Sequence, residues 1–227
     1  MGQGHGPFGR FRDGDRRHLT VGGRRHECPR CGDPDHMSQP RLVTFGHGTA
    51  GRTALAELLR GAGVTAVVDV RTAPGSRRDP DLLRERLARW LPEEGLAYRW
   101  EQRLGGFRRP APDSPDVVWR NASFRGYAGH TRSPEFVAAM DALLDQVSRE
   151  RTAVMCGEAV WWRCHRRLVA DFAVLARDRP VDHLMHDGRL TAHSPTPGAR
   201  LRADGLLVYD DEEAAAARPV ASRPGRP

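Results

Sequence analysis

Lysine is absent from this sequence: all 36 basic residues are arginines, set against 29 acidic ones for a formal net charge of +7. The bias has two readings. Codon usage in a GC-rich genome would produce it, together with raised Ala, Gly and Pro; recognition of phosphate or carboxylate would also produce it, because guanidinium offers a planar fork of donors. Only the position of each arginine separates them. Cysteine is scarce: four residues form two loose pairs, Cys28 with Cys31 and Cys156 with Cys164, which excludes a secreted disulfide scaffold. No apolar run approaches the roughly 18 residues of a membrane span and no signal-peptide core opens the chain, so a cytoplasmic protein without membrane attachment is expected. Apolar content is low at 39%, with 24 Gly and 17 Pro among 227 residues, which excludes a core running through the whole chain. One domain of about 100 to 200 residues with irregular ends is the expectation.

The ends identify themselves. Residues 1–40 are Gly, Arg, His and Asp with almost no apolar periodicity and read as a basic, disordered tail. Within it HECPRCGDPDH at 26–36 gives Cys28 and Cys31 the C-x-x-C spacing of a zinc knuckle, which His26 and His36 could complete. The alternative is a redox-inert pair in a tail. Residues 191–227 are Pro- and Arg-rich, with LLVYD at 206–210 as a candidate edge strand.

Between them, residues 41–190 alternate. LVTFG at 42–46, TAVVDVR at 65–71, LAYRWE at 96–101, TAVMC at 152–156 and VDHLMH at 181–186 read as five strands, TAVVDVR being the kind of continuous apolar run that parallel sheets bury. Helical spacing fills the gaps: Arg52–Arg60; Asp79 with Pro80 opening a helix through Trp90; Ser133 with Pro134 opening another; and Cys164–Ala176. The predicted fold is α/β, a mainly parallel open sheet of about five strands with helices on both faces, in Rossmann-like or rhodanese-like layering.

Ligands of such sheets bind at the carboxyl ends of the strands. There the chain delivers His47; then Asp69, Arg71, Gly75, Arg77 and Arg78; then Gly105 and Gly106; then Cys156, Glu158, Trp161, Cys164, His165 and Arg166. Structural loops need turn residues, not repeated His, Cys and Arg. Arginines 71, 77, 78 and 166, with Trp161 and the glycines giving close backbone approach, are the candidate substrate binders. Cys156, Glu158, Cys164, His165, His47 and Asp69 are the candidate catalytic groups.

The segments MCGEAVWWRCHRRLVAD at 155–171, TFGHGT at 44–49, VVDVRTAPGSRR at 67–78 and FRGYAG at 124–129 resemble the uncharacterised family called domain of unknown function 488, over roughly residues 41–190. The resemblance implies a family motif at His47, Asp69, Arg71, Arg77, Arg78, Cys156, Glu158, Cys164, His165 and Arg166, and no reaction. Four functional readings therefore stand. A thiolate at Cys156 or Cys164 is one; Glu158 or His165 as general acid or base beside phosphate-holding arginines is a second. A metal held by Cys156, Cys164, His165 and His47 is a third, and a non-catalytic nucleic-acid module using arginines and aromatic rings is a fourth. The C-x-E and C-H-R segments favour an enzyme acting on an anionic small molecule, nucleotide or nucleic acid. No cofactor beyond the tail zinc and no oligomeric state is indicated.

Overall fold

The structure is a computed structural model and describes residues 39–75 and 79–210. The zinc-knuckle residues His26, Cys28, Cys31 and His36 lie outside the described residues, as do Arg77 and Arg78 and residues 211–227.

Five strands run parallel: β1 (Leu42–Gly46), β2 (Ala66–Asp69), β3 (Ala97–Trp100), β4 (Thr152–Cys156) and β5 (Val181–Leu184). A sixth, β6 (Leu190–Ala192), adds antiparallel at one edge, giving the order β3-β2-β4-β1-β5-β6. The α/β expectation and its five parallel strands hold. Strand β4 lies between β1 and β2, so the chain changes direction across the sheet there, and a crevice opens beyond the strand ends.

Alternating side chains divide the core in two. On one face Val43, Phe45, Val67, Ala153 and Met155 meet Leu55 and Leu59 of α1 (Arg52–Gly61) and Leu87, Trp90 and Leu91 of α2 (Arg84–Glu93). On the other, Leu42, Val68, Val154 and Cys156 meet Tyr127 of α3 (Ala122–His130), Phe136 and Met140 of α4 (Pro134–Val147) and Leu168 and Phe172 of α5 (Arg166–Arg177). Each fully buried Leu, Met or Phe contributes about 1.5–3 kcal/mol of transfer free energy. Ser133 opens α4 as expected, accepting from the Phe136 amide, whereas Asp79 accepts from the Asp81 amide but opens only a short 3₁₀ turn (Pro80–Leu82), and α2 begins separately at Arg84.

Three local differences appear. Helix α3 lies inside what reads as a long loop, because Gly126 and Gly129 dilute its apolar face; its start is marked by Asn121, whose side chain accepts from the Ser123 and Phe124 amides. Pro92 stands within α2 rather than ending it, and the helix stops at Glu93 before Gly95 at positive φ. The folded part also passes the expected boundary at 190. Besides β6, strands β7 (Ala199–Leu201) and β8 (Leu207–Tyr209) form a separate antiparallel hairpin, so residues 206–210 do supply a strand, though not at the edge of the main sheet. Leu207, Val208 and Tyr209 are buried, which is what draws this Pro-containing segment onto the domain. Among the described residues no helix is long and apolar enough to cross a membrane.

Candidate active site

Register places the tips of the central strands level. Gly46 lies opposite Cys156, Asp69 opposite Met155, and pairing continues beyond the strands through the amides of His47 and Gly48 onto the carbonyls of Cys156 and Gly157. Above these tips lies a cavity of about 430 Å³ whose lining includes Arg71, Gly106, Phe107, Phe124, Tyr127, Cys156, Glu158, Arg163, Cys164 and His165.

On its floor two thiols and an imidazole meet. Nδ1 of His165 lies 3.8 Å from Sγ of Cys156 and 3.7 Å from Sγ of Cys164, and the three atoms all fall within 4.8 Å of one another. Strand β4 carries the first cysteine; the second sits at the start of α5, two residues before Arg166. A helix N-terminus favours negative charge beside it. His165 is fixed from two sides: the Tyr127 ring packs at 4.9 Å between centroids, and Gly106 lies so close that an added Cβ would stand 3.1 Å from Nδ1. Its Nε2 is buried and makes no hydrogen bond among the described residues.

Arg166 decides the electrostatics. Its side chain is only 1% exposed, yet it has no carboxylate partner among the described residues. It donates from Nε to Sγ of Cys164 at 3.4 Å and from Nη2 to the backbone carbonyls of Glu158 and Ala159. An unpaired buried guanidinium is costly, and among the described residues the one group touching it that can carry negative charge is the Cys164 sulfur. Consistent with this, Cys164 is held well below the usual thiol range: the Cys156 thiol bonding to it is the largest cause, burial opposes, and His165 and Arg166 reinforce. Cys156 is correspondingly pushed well above that range by the same bond and by burial. Both directions, together with the Arg166 contact, favour negative charge on Cys164 over Cys156. Gly46 makes the arrangement possible, since a Cβ there would lie 1.8 Å from the Glu158 carbonyl and 2.6 Å from Arg166.

A second cation, Arg71, lines the cavity. Arg71 is bound through Nε and Nη2 to Asp69, which is fully buried and also accepts from the Arg71 amide and the Tyr98 hydroxyl. Its Nη1 faces Nε2 of His47 at 3.4 Å, while Nδ1 of His47 donates to the Gly48 carbonyl. Burial, then Arg71, lowers the His47 pKa, so this imidazole is neutral. Arg163, exposed on the rim, has no ion-pair partner among the described residues.

Of the expected residues, Arg71, Gly106, Cys156, Glu158, Cys164 and His165 line the cavity. Asp69, His47 and Arg166 stand behind it as braces for Arg71 and Cys164. The Glu158–Arg166 contact runs through the Glu158 backbone, leaving the exposed carboxylate to the cavity. Gly75 is exposed with open space around it, and Gly105 serves close packing on Thr72; neither lines the cavity. Trp161 also lies elsewhere, stacked 4.0 Å from His183.

That stacking caps a buried chain which the sequence did not suggest. Thr44 Oγ1 donates to Nδ1 of His183 at 2.7 Å, Nε2 of His183 to Nδ1 of His193 at 2.9 Å, and Nε2 of His193 to Asp171 at 2.9 Å. Asp171 also accepts from Thr196 and the Tyr209 hydroxyl, tying the hairpin to α5. Burial, with the neighbouring His193, depresses the His183 pKa to about 3. The sequence reading also passed over Phe107, Asn121 and Ser123 of the cavity wall; the Asn121 cap was the available signal.

The model of the family described as domain of unknown function DUF488 matches residues 52–173, which hold both cysteines, Arg71, His165 and Arg166. No curated protein and no solved structure matches the chain.

Proposed function

The chain belongs to the domain of unknown function DUF488 family, and on that premise, which carries no reaction with it, we propose an enzyme that uses Cys164 as a thiolate nucleophile on an anionic substrate. The observation that carries the reading is the buried Arg166, which meets a sulfur where it would ordinarily meet a carboxylate. Cys164 supplies the electron pair; the cavity-facing groups able to move a proton are the Cys156 thiol, His165 and the Glu158 carboxylate. Arg71, aimed by Asp69, and Arg163 attract the anion. A chloroacetamide probe bearing a carboxylate tests this. The reading expects labelling at Cys164 near neutral pH, slowed by Arg163→Ala and by competing phosphate; equal labelling of Cys156, or indifference to both perturbations, would reject it.

The same three atoms favour a second reading. A tetrahedral zinc would hold S and N ligands about 3.6 Å apart, close to the distances around His165. Charge weighs against it: two thiolates neutralise a divalent ion and leave Arg166 unmatched unless the fourth ligand is an anion. Elemental analysis separates the two, since stoichiometric metal lost from Cys156→Ser and Cys164→Ser would establish the metal centre.

A further inference from the structure

The cavity wall holds a feature that neither folding nor thiol chemistry requires. Phe107 is 87% exposed and sits at φ 59°, a left-handed conformation that side chains with a Cβ rarely adopt. The loop beneath it is anchored, with Thr72 Oγ1 donating to the Gly106 carbonyl at 2.9 Å and Gly106 pressed on His165. Phe107 is therefore presented to the cavity by a fixed backbone, with its apolar face in water. Gly or Asn would satisfy that conformation with less strain. Strained, exposed residues concentrate where a ligand uses them.

Phe124, which also lines the cavity, is stacked on Trp119 at 4.8 Å and 15°, and Arg167 stands 5.1 Å over the Trp119 ring. Phe124, backed by Trp119, and Phe107 thus line the cavity together with two cations, Arg71 held by Asp69 and Arg163 unpaired among the described residues. Asn121, whose Oδ1 is taken by the α3 amides, keeps its side-chain amide donors for a ligand. Glu158 is the counterweight: a carboxylate on the wall disfavours a polyphosphate and suits a single anionic group. A volume of about 430 Å³ is in the range of small-molecule sites.

We infer that the cavity binds a planar aromatic ring carrying one anionic group, of the nucleoside monophosphate class, with the ring stacked on Phe107 and the anion at Arg163 and Arg71. The inference deepens the enzyme reading by naming its substrate class and rests on that reading for the use of this cavity. Base–aromatic stacking tolerates any base, so the ring is specified only as planar.

Isothermal titration of the full chain with adenosine and cytidine 5′-monophosphates, adenosine, inorganic phosphate and a single-stranded oligonucleotide tests it. The monophosphates should bind more tightly than adenosine or phosphate alone. Phe107→Ala should weaken them about tenfold and Phe107→Trp should not, while Arg163→Ala should weaken monophosphates and phosphate alike. No monophosphate binding at millimolar concentration, a Phe107→Ala effect under about twofold, or phosphate binding as tightly as the monophosphates would overturn the inference. Tighter, steeply salt-dependent oligonucleotide binding would overturn the small-molecule source in favour of nucleic acid. A Cys164 thiolate without nucleotide binding defeats this inference alone; nucleotide binding without a thiolate defeats the enzyme reading alone.

Discussion

Replacing Cys164 by Ser keeps the side chain's size and removes its capacity for negative charge at neutral pH. If the sulfur is the counter-charge of Arg166, the substitution leaves a guanidinium 1% exposed facing only neutral acceptors. Breaking one side of a buried ion pair costs about 3–5 kcal/mol; Arg166 keeps the Glu158 and Ala159 carbonyls, so we expect about 3 kcal/mol. Cys156→Ser, which removes no charge, should cost about 1 kcal/mol. In a double-mutant cycle with Arg166→Met, the coupling to Cys164→Ser should exceed about 1 kcal/mol. The pH dependence has a defined sign. A thiol whose folded pKa lies below its unfolded value gains stability as pH rises from the former to the latter, by up to about 1.4 kcal/mol per unit. The stability gap between wild type and Cys164→Ser should therefore widen with pH and level off above about 9, and close as pH falls through the folded value. Urea denaturation across this range measures it. A gap below about 1 kcal/mol that ignores pH, with additive Arg166→Met, would show that Cys164 is not the counter-charge of Arg166.

Three further outcomes follow from the geometry. Gly46→Ala drives a Cβ into the Glu158 carbonyl and Arg166, and should cost about 3 kcal/mol or more in denaturation while raising the Cys164 pKa. His183 stays neutral in the fold down to about pH 3 but protonates near 6.5 when unfolded, so stability should fall as pH drops below about 6.5, less steeply in His183→Gln. Tyr127→Phe strands the Leu104 carbonyl and should cost about 1–2 kcal/mol, read as a lowered urea midpoint.

Much of this architecture is legible in the residues. Continuous apolar runs such as AVVD, flanked by helical spacing, gave the parallel strands, and the strand-end rule then assembled Arg71, Cys156 and Cys164 at one edge. What stayed hidden depends on three-dimensional company. Nothing local distinguishes Arg166, one arginine among 36, from its neighbours; only its burial without an acid does so. Asp69 reads as a catalytic carboxylate until its oxygens are found occupied by Arg71 and Tyr98. Trp161 belongs to the His183 chain because the loop after β4 turns it away from the cavity, and that chain joins Thr44, Asp171 and His193, too far apart in sequence to form a motif. Helix α3 was masked by its glycines, and with it the aromatic wall.

The proposed chemistry of this site turns on the ionisation of one sulfur. Absorbance near 240 nm, followed from acid to alkaline pH on native wild type, Cys156→Ser and Cys164→Ser, counts thiolates without requiring access to them. We predict one thiolate at neutral pH in the wild type, kept in Cys156→Ser and lost in Cys164→Ser; native cysteines that all titrate near the ordinary 8.5 in all three proteins would contradict it.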